Sequence, residues 1–343
     1  MSLNLIKEDF NIKIIPVLLR YDYGKKSRGY SPEYQSLYKA LKQLSNEIYP
    51  FWYDEYLTKK EELQKKIIKF ADYIKPDILF FILYKGEFEF STLDYLKNKY
   101  ITINWFCDDQ WRFDIFTKYQ APHFTYAITT DKFALRKYKD IGCKNVILNQ
   151  LAPLVFYKDI DFKTVKYKYD VTFVGGISGY REYLVHQLKK KGVKVECFGY
   201  GWRNGRVTFN ELREIFKSSK INLNISNSVN YDMRYIFSSL RSVKEFLKSK
   251  KRVEQIKGRN FEIPASGGFQ LTNYVPSLDD YFNIGNEVTV YISIDDLVLQ
   301  INYYLNNEEE RKRIMINGYK RVMNEPTYLY RLKKIFKELE IFY

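Results

Sequence analysis

Short apolar runs alternate with amphipathic stretches along almost the whole chain, and this alternation restricts the fold more than any other feature. NIKIIPVLL (11–19), DILFFIL (77–83), ITINWF (101–106), TYAITT (125–130) and NVILN (145–149) read as strands, being short, apolar and rich in β-branched and aromatic residues. Between them lie PEYQSLYKALKQL, YLTKKEELQKKIIKFADYI, STLDYLKNK and DKFALRKYKDI, which read as helices. Strands that alternate with helices in this way form parallel sheets, and such sheets are covered on both faces.

The pattern lapses over 151–168, where FYKDIDFKTVKYKYD has no period, and then restarts. DVTFVGG, VKVECFG and KINLNIS read as strands, and YREYLVHQLKKK and FNELREIFKS as helices. Thr208 and Glu211 supply a capping-box spacing at the head of the second of these helices. The tail from 293 onward is helical. A chain of 343 residues exceeds one ordinary core. The expected architecture is α/β of the GT-B kind: two doubly wound, Rossmann-like domains facing a central cleft, with C-terminal helices packing across. The expected boundaries are 1–160, 169–325, and a C-terminal helix 326–343 able to return to the N-terminal domain. Ligands of such sheets sit beyond the carboxyl ends of the strands.

Composition narrows the function classes. The formal charge of +15 suits an anionic ligand, an anionic membrane or glycan surface, or nucleic acid, but many cations lie on amphipathic helices where solvated faces explain them. Cys107, Cys143 and Cys197 lack metal or disulfide spacing, and the only histidines are His123 and His186, so no metal centre is expected. MSLNLIKEDF lacks a signal-peptide core and ILFFILY is too short to span a bilayer. A cytoplasmic protein, soluble or peripheral at the inner face of a membrane, is the expectation.

Chemistry concentrates in KGRNFEIPASGGFQLT, from 257 to 272. Pro264 lacks an N–H, so it belongs in a first helical turn, which puts the helix start at Asn260, a good N-cap. Gly267 or Gly268 then ends the helix. A helix N-terminus attracts anions, and Lys257 and Arg259 stand just before it. Glu262 can accept from sugar or ribose hydroxyls. Phosphate together with hydroxyls indicates a nucleotide or nucleotide sugar. The alternative is a basic surface helix whose dipole Glu262 complements.

This run, together with EVTVY, DDLVLQINYYLNNEEERKRIMINGYKRV, FVGGISGYRE, CFGYGW and KINLNIS, resembles the C-terminal half of CgeB-like glycosyltransferases, relatives of the retaining GT-B class that uses nucleoside diphosphate sugars. The resemblance covers about 170–335 clearly and 75–150 more loosely. It implies that Glu262 binds ribose and that Glu254, seven residues apart from it, meets the transferred sugar. Glu254 can equally be a solvated residue of SKKRVEQIKG. Lys257, Arg259, Asn260 and Arg181 would surround the diphosphate, with Gly175 and Gly176 (and Gly179) letting backbone approach it. Tyr200 and Trp202 are candidates for a wall beside the base, and core packing is the alternative for Trp202.

The N-terminal domain should hold the acceptor. Asp108 and Asp109 end the strand ITINWF, where a carboxylate could take or orient an acceptor proton, although helix capping explains one of them. His123 is a lesser acceptor-side candidate, and RYDYGKKSRGYS is either a lid or an ordinary loop. The expected activity is hexosyl or pentosyl transfer from a nucleotide-sugar donor to a glycan, lipid-linked or protein acceptor, with no cofactor and no metal. A noncatalytic nucleotide-sugar-binding scaffold, or an enzyme acting on modified nucleic acid, remains as an alternative. Peripheral contact with an anionic membrane is a further expected partner.

Overall fold

The computed structural model describes residues 12–154, 156–226, 228, 230–324 and 327–339, so MSLNLIKEDF lies outside the described residues. The chain forms two units, Met1–Leu151 with Thr327–Tyr343, and Ala152–Pro326.

The first unit carries a six-stranded parallel sheet: β1 (Ile14–Leu18), β2 (Phe51–Trp52), β3 (Ile78–Phe81), β4 (Ile101–Phe106), β5 (Tyr126–Thr129) and β6 (Val146–Leu148), in the order β2-β1-β3-β4-β5-β6. Its helices include α1 (Lys39–Leu44), α2 (Lys60–Ile74), α3 (Phe90–Lys99), α4 (Asp109–Arg112) and α5 (Ala134–Asp140). Side chains of the strands alternate between two cores, as a pleat of period two requires. Ile15, Val17, Leu79 and Phe81 enter one, and Ile14, Leu18, Ile78 and Phe80 the other. Leu332, Ile335 and Phe336 of the helix Tyr328–Glu338, spaced three and four apart, complete the second core against Leu37, Leu41 and Leu44. Each such side chain contributes about 1.5–3 kcal/mol on burial.

The second unit holds a five-stranded parallel sheet: β7 (Tyr169–Val174), β8 (Glu196–Phe198), β9 (Ser219–Asn224), β10 (Gln270–Asn273) and β11 (Thr289–Tyr291), ordered β11-β10-β9-β7-β8. It is covered by α6 (Gly179–Lys190), α7 (Phe209–Lys217), α8 (Leu240–Lys248), α9 (Gly258–Ala265), α10 (Ile294–Asn306) and α11 (Glu308–Asn324). The direction of winding reverses at β7, which pairs with β8 on one side and β9 on the other. That switch point is where open α/β sheets leave a crevice at the carboxyl edge. Thr208 caps α7 with Glu211 through the expected capping box.

Helix α9 differs from the expectation. It starts at Gly258 with Lys257 as N-cap, three residues before the proline rule suggested, and Pro264 stands inside it. The carbonyl that Pro264 cannot serve is that of Asn260, and the side-chain amide of Gln270 donates to it at 3.3 Å. Gln270 is buried on β10, so a strand neighbour replaces the missing helical N–H. Asn260 is not the cap but the third helical residue, and its Oδ1 accepts from the Lys257 backbone N–H at 3.0 Å. Gly267, at φ +74°, ends the helix in the left-handed conformation that favours glycine.

A polar seam crosses the sheet beneath this helix. Thr172 donates to Asn222 Oδ1 (3.0 Å), Asn222 donates to Phe216 O (3.0 Å), and Thr289 donates to Gln270 O (3.0 Å). Gln270→Leu leaves the Asn260 carbonyl buried and unpaired, a loss of about 1–3 kcal/mol in unfolding free energy measured by urea denaturation. Adding Pro264→Ala restores a helical N–H and recovers most of that loss. Equal loss in the single and double variants would show that the amide does not serve the carbonyl.

Candidate functional site

The carboxyl edge of the second sheet gathers most of the candidate residues. Strand β7 runs into Gly175 and Gly176, and Ser178 caps α6 by accepting from the Arg181 N–H. Arg181 then reaches back across the switch point. Its Nη1 donates to Gly176 O at 2.8 Å, and its Nε and Nη2 donate to Ile225 O at 3.1 and 2.6 Å. The guanidinium thereby ties the loop after β7 to the loop after β9, with the Phe173 ring 5.1 Å beneath it. Burial, reinforced by the charge of Arg259, pushes its pKa down to about 10.

Arg259 is in the first turn of α9 rather than before it, and its Nη1 bonds Glu262 Oε2 at 2.7 Å. Glu262 is buried while Arg259 keeps about a quarter of its side chain exposed, and the guanidinium lies 5.1 Å from the Phe216 ring. Glu262 is therefore a partner of Arg259 as well as a candidate for ribose. Lys257, the N-cap, flanks the same helix end.

Glu254 is not a solvated residue of the basic segment. Burial raises its pKa, while hydrogen bonds from Ser226, Ser228 and Asn273 and the charge of Arg181 pull it down. Its Oε2 is buried and meets no hydrogen-bond partner among the described residues, and the same holds for Asn260 Nδ2 and the Tyr291 hydroxyl. Tyr291, whose hydroxyl burial holds well above its usual range, feels the charges of Glu254 and Arg181. Two arginines, one half-buried carboxylate and unpaired polar atoms thus converge at one sheet edge. Buried polar atoms left unpaired beside charged groups are a departure from the ordinary rule that such atoms are satisfied, and they mark this edge as the candidate site.

Ser226, Asn273 and Tyr291 were missed in the sequence, although each lies at or just beyond the carboxyl end of a strand. Gly176 has its first neighbour 3.9 Å from an ideal Cβ, whereas at Gly175 a Cβ would stand 2.7 Å from the Phe173 ring. At Gly179 a Cβ would come within 2.1 Å of Glu245 Oε2, so α8 approaches the α6 N-terminus as only glycine permits. Trp202 is not a wall. Its indole N–H donates to Gly175 O at 2.8 Å and its ring meets Phe173 edge-on at 6.1 Å, so it packs against the loop from the core side. The Tyr200 ring is 72% exposed beside it.

In the first unit two candidates are corrected. Asp109 is 1% exposed, and its carboxylate accepts from Thr117 (2.7 Å), Thr129 (2.6 Å) and Tyr138 (2.7 Å). Saturated by three hydroxyls, it is a core carboxylate and offers nothing to an acceptor. The His123 ring is held by Asp94 at 2.7 Å and stacked on Phe90 at 4.2 Å, just before β5. Asp108 starts α4 through its backbone, without a side-chain cap. Its charge reaches Tyr23, whose ring meets Tyr84 edge-on at 5.6 Å. The stretch RYDYGKKSRGYS is an ordered loop, with Tyr21 and Tyr30 bridged and stacked and Tyr34 stacked on Tyr30 at 4.3 Å.

Residues 181–337 match the model of a family described as glycosyl transferase-like. No curated protein matches the sequence. A sucrose-phosphate synthase from Thermosynechococcus elongatus has a similar structure, with a TM-score of 0.63 at 9% identity over 96% of this chain and 99% of that one. Anabaena HepE in complex with UDP and glucose gives 0.61 at 9% identity over 96% and 100%. The pneumococcal O-GlcNAc transferase GtfA in complex with UDP and GlcNAc gives 0.52 at 11% over 80% and 60%. The two parallel-sheet α/β domains are those of the GT-B fold.

Burial raises the pKa of Asp109 to about 6, above the value near 4 of an unfolded chain. The folded state therefore holds a proton that the unfolded state has lost, so stability from this group is present below about pH 4 and lost as pH rises through about 6. The expected fall over that window is on the order of 3 kcal/mol in unfolding free energy. Asp109→Asn should flatten this fall, and an unchanged slope would assign it to another group.

Proposed function

We propose that the protein is a glycosyltransferase of the CgeB-like kind, transferring a hexosyl or pentosyl group from a nucleoside diphosphate sugar to a hydroxyl acceptor. The observation that carries this reading is the placing of half-buried Arg181 with Arg259 at the carboxyl edge of the second sheet, beside the α9 N-terminus and the half-buried Glu254. The Arg181 guanidinium, lowered by burial and by the charge of Arg259, is relieved by a diphosphate, which accepts charge-assisted hydrogen bonds in the planar forks of both arginines. The glycosyl transferase-like stretch spans these residues, and HepE and GtfA were solved with UDP.

In this mechanism Glu262, with Oε2 on Arg259, presents Oε1 to the ribose hydroxyls. Glu254 meets hydroxyls of the transferred sugar, where a carboxylate with a raised pKa is suited to hydrogen bonding and to charge developing at the anomeric carbon. As the bond to the sugar breaks, negative charge grows on the β-phosphate. Arg181, Arg259, Lys257 and the positive end of the α9 dipole stabilise it in a fixed electrostatic frame, without requiring a divalent ion. Retention of anomeric configuration is part of this reading, as is an acceptor of glycan, lipid-linked or protein origin bound by the first unit. Asp108 is the carboxylate proposed to orient its hydroxyl.

Calorimetric titration with UDP tests the donor site. Arg259→Ala is expected to weaken binding roughly ten- to a hundredfold, the value of one charge-assisted bond of about 1.5–3 kcal/mol. Glu254→Gln is expected to retain UDP binding and to lose transfer or donor hydrolysis. Unchanged affinity in the arginine variant removes the site assignment. Wild-type protein that binds UDP yet neither transfers nor hydrolyses any nucleotide sugar would instead be a scaffold. EDTA is expected to leave transfer unaffected, and abolition of turnover by the chelator would overturn the metal-free mechanism.

A further inference from the structure

The segment between β9 and α9 presents a face that the second unit does not bury. Leu240 is 90% exposed and Phe237 71%, with Met233, Leu247, Tyr231 and Val253 also exposed around them. These side chains do not belong to a loose loop. Tyr235 and Ile236 are buried on the inner side, and the Tyr235 hydroxyl donates to Glu245 Oε2 at 3.0 Å. Glu245 also takes Arg241 Nε at 2.9 Å, and the Tyr231 ring meets Phe246 edge-on at 5.7 Å. The inner side fixes α8, and the outer side of the same helix is where the leucines stand.

The spacing on α8 is unusual for a surface helix. Leu240, Lys244, Leu247 and Lys248 follow i, i+4, i+7 and i+8, so one exposed stripe alternates leucine with lysine. An ordinary surface helix turns its apolar stripe to the core, yet among the described residues of α8 only Ser242 is buried. Charge is one-sided as well. From 231 to 253 there are seven lysines and arginines and two acids, Asp232 and Glu245. Both acids are engaged, Asp232 with Arg234 and Glu245 with Arg241 and Tyr235.

We propose that this face docks the protein on an anionic lipid surface. Leu240, Leu247 and Phe237 enter the headgroup layer while Lys244, Lys248, Lys250 and Arg252 meet lipid phosphates. Lysine stems lie along the apolar layer and keep their ammonium groups at the phosphate level. A nucleic-acid backbone would satisfy the cations but leave the leucines in water, and an apolar protein groove would take the leucines but strand the cations. A bilayer surface with acidic headgroups satisfies both. The contact is interfacial, since no helix of the described residues is long and apolar enough to cross a membrane. It stands independently of the nucleotide site.

Cosedimentation of the full chain with vesicles tests it, using phosphatidylcholine alone and phosphatidylcholine mixed equally with phosphatidylglycerol. Binding to the mixed vesicles only, lost in high salt, is expected. Lys244→Ala with Lys248→Ala should weaken it roughly thirtyfold, and Leu240→Ser with Leu247→Ser at least as much. Circular dichroism and UDP titration confirm that both pairs fold. Two outcomes overturn the proposal: equal binding to both vesicles, or binding to neither, and in the second case a dimer that the leucine variants dissociate would assign the face to a second copy of the chain.

Discussion

A single buried hydrogen bond allows the carboxyl edge of the second unit to exist in its present form. Pro264 inside α9 leaves the Asn260 carbonyl without its helical partner, and Gln270 on β10 supplies one. Because the bond crosses from strand to helix, it fixes where α9 lies over the sheet. Everything at the N-terminal end of that helix inherits the placement: the Lys257 cap, the Arg259–Glu262 pair and the approach of Arg259 to Arg181. The seam through Thr172, Asn222 and Thr289 anchors the same sheet positions, so the helix rests on polar contacts that admit one register.

The second constraint is Arg181. It spends its donors on main-chain carbonyls after β7 and β9, so among the described residues its charge is half-buried without a carboxylate bonded to it. A cation placed this way stays available electrostatically while its position is fixed by the backbone. Arg259 is held differently, by a carboxylate, and is partly exposed. One arginine is therefore held by main chain and the other by a side chain, with Glu254 facing Arg181 from the segment that precedes α9.

Most of the strands were legible because each run is short, continuous and apolar, and the parallel pairing follows from the intervening helices; the two-residue β2 forms no such run. The helix start at Gly258 was not legible, since the proline rule is local and the residue that overrides it, Gln270, sits on another element. The same applies to Glu254. Its sequence neighbours are lysines and arginines, but its spatial neighbours are Ser226, Asn273 and Arg181, brought together only by the sheet. Asp109 shows the converse error: a carboxylate at a strand end looks functional until Thr117, Thr129 and Tyr138 are found around it. Asp108, one residue earlier, is only half-buried, and no spacing rule separates the two. The α8 stripe was in plain sight, but an exposed leucine is informative only once the buried side of its helix is known.

The helix Tyr328–Glu338 lends Leu332, Ile335 and Phe336 to a core whose other members come from strands and helices made at the opposite end of the chain. During synthesis the first unit is begun first and finished last. Ile14, Leu18, Ile78 and Phe80 have one side of their sheet incompletely covered until the ribosome has passed residue 336, by which time the second unit has been translated in full. The earlier half must wait, exposed or chaperoned, for the later half to release its final helix. A chain interrupted just before that helix would carry a complete second unit and an unfinished first one.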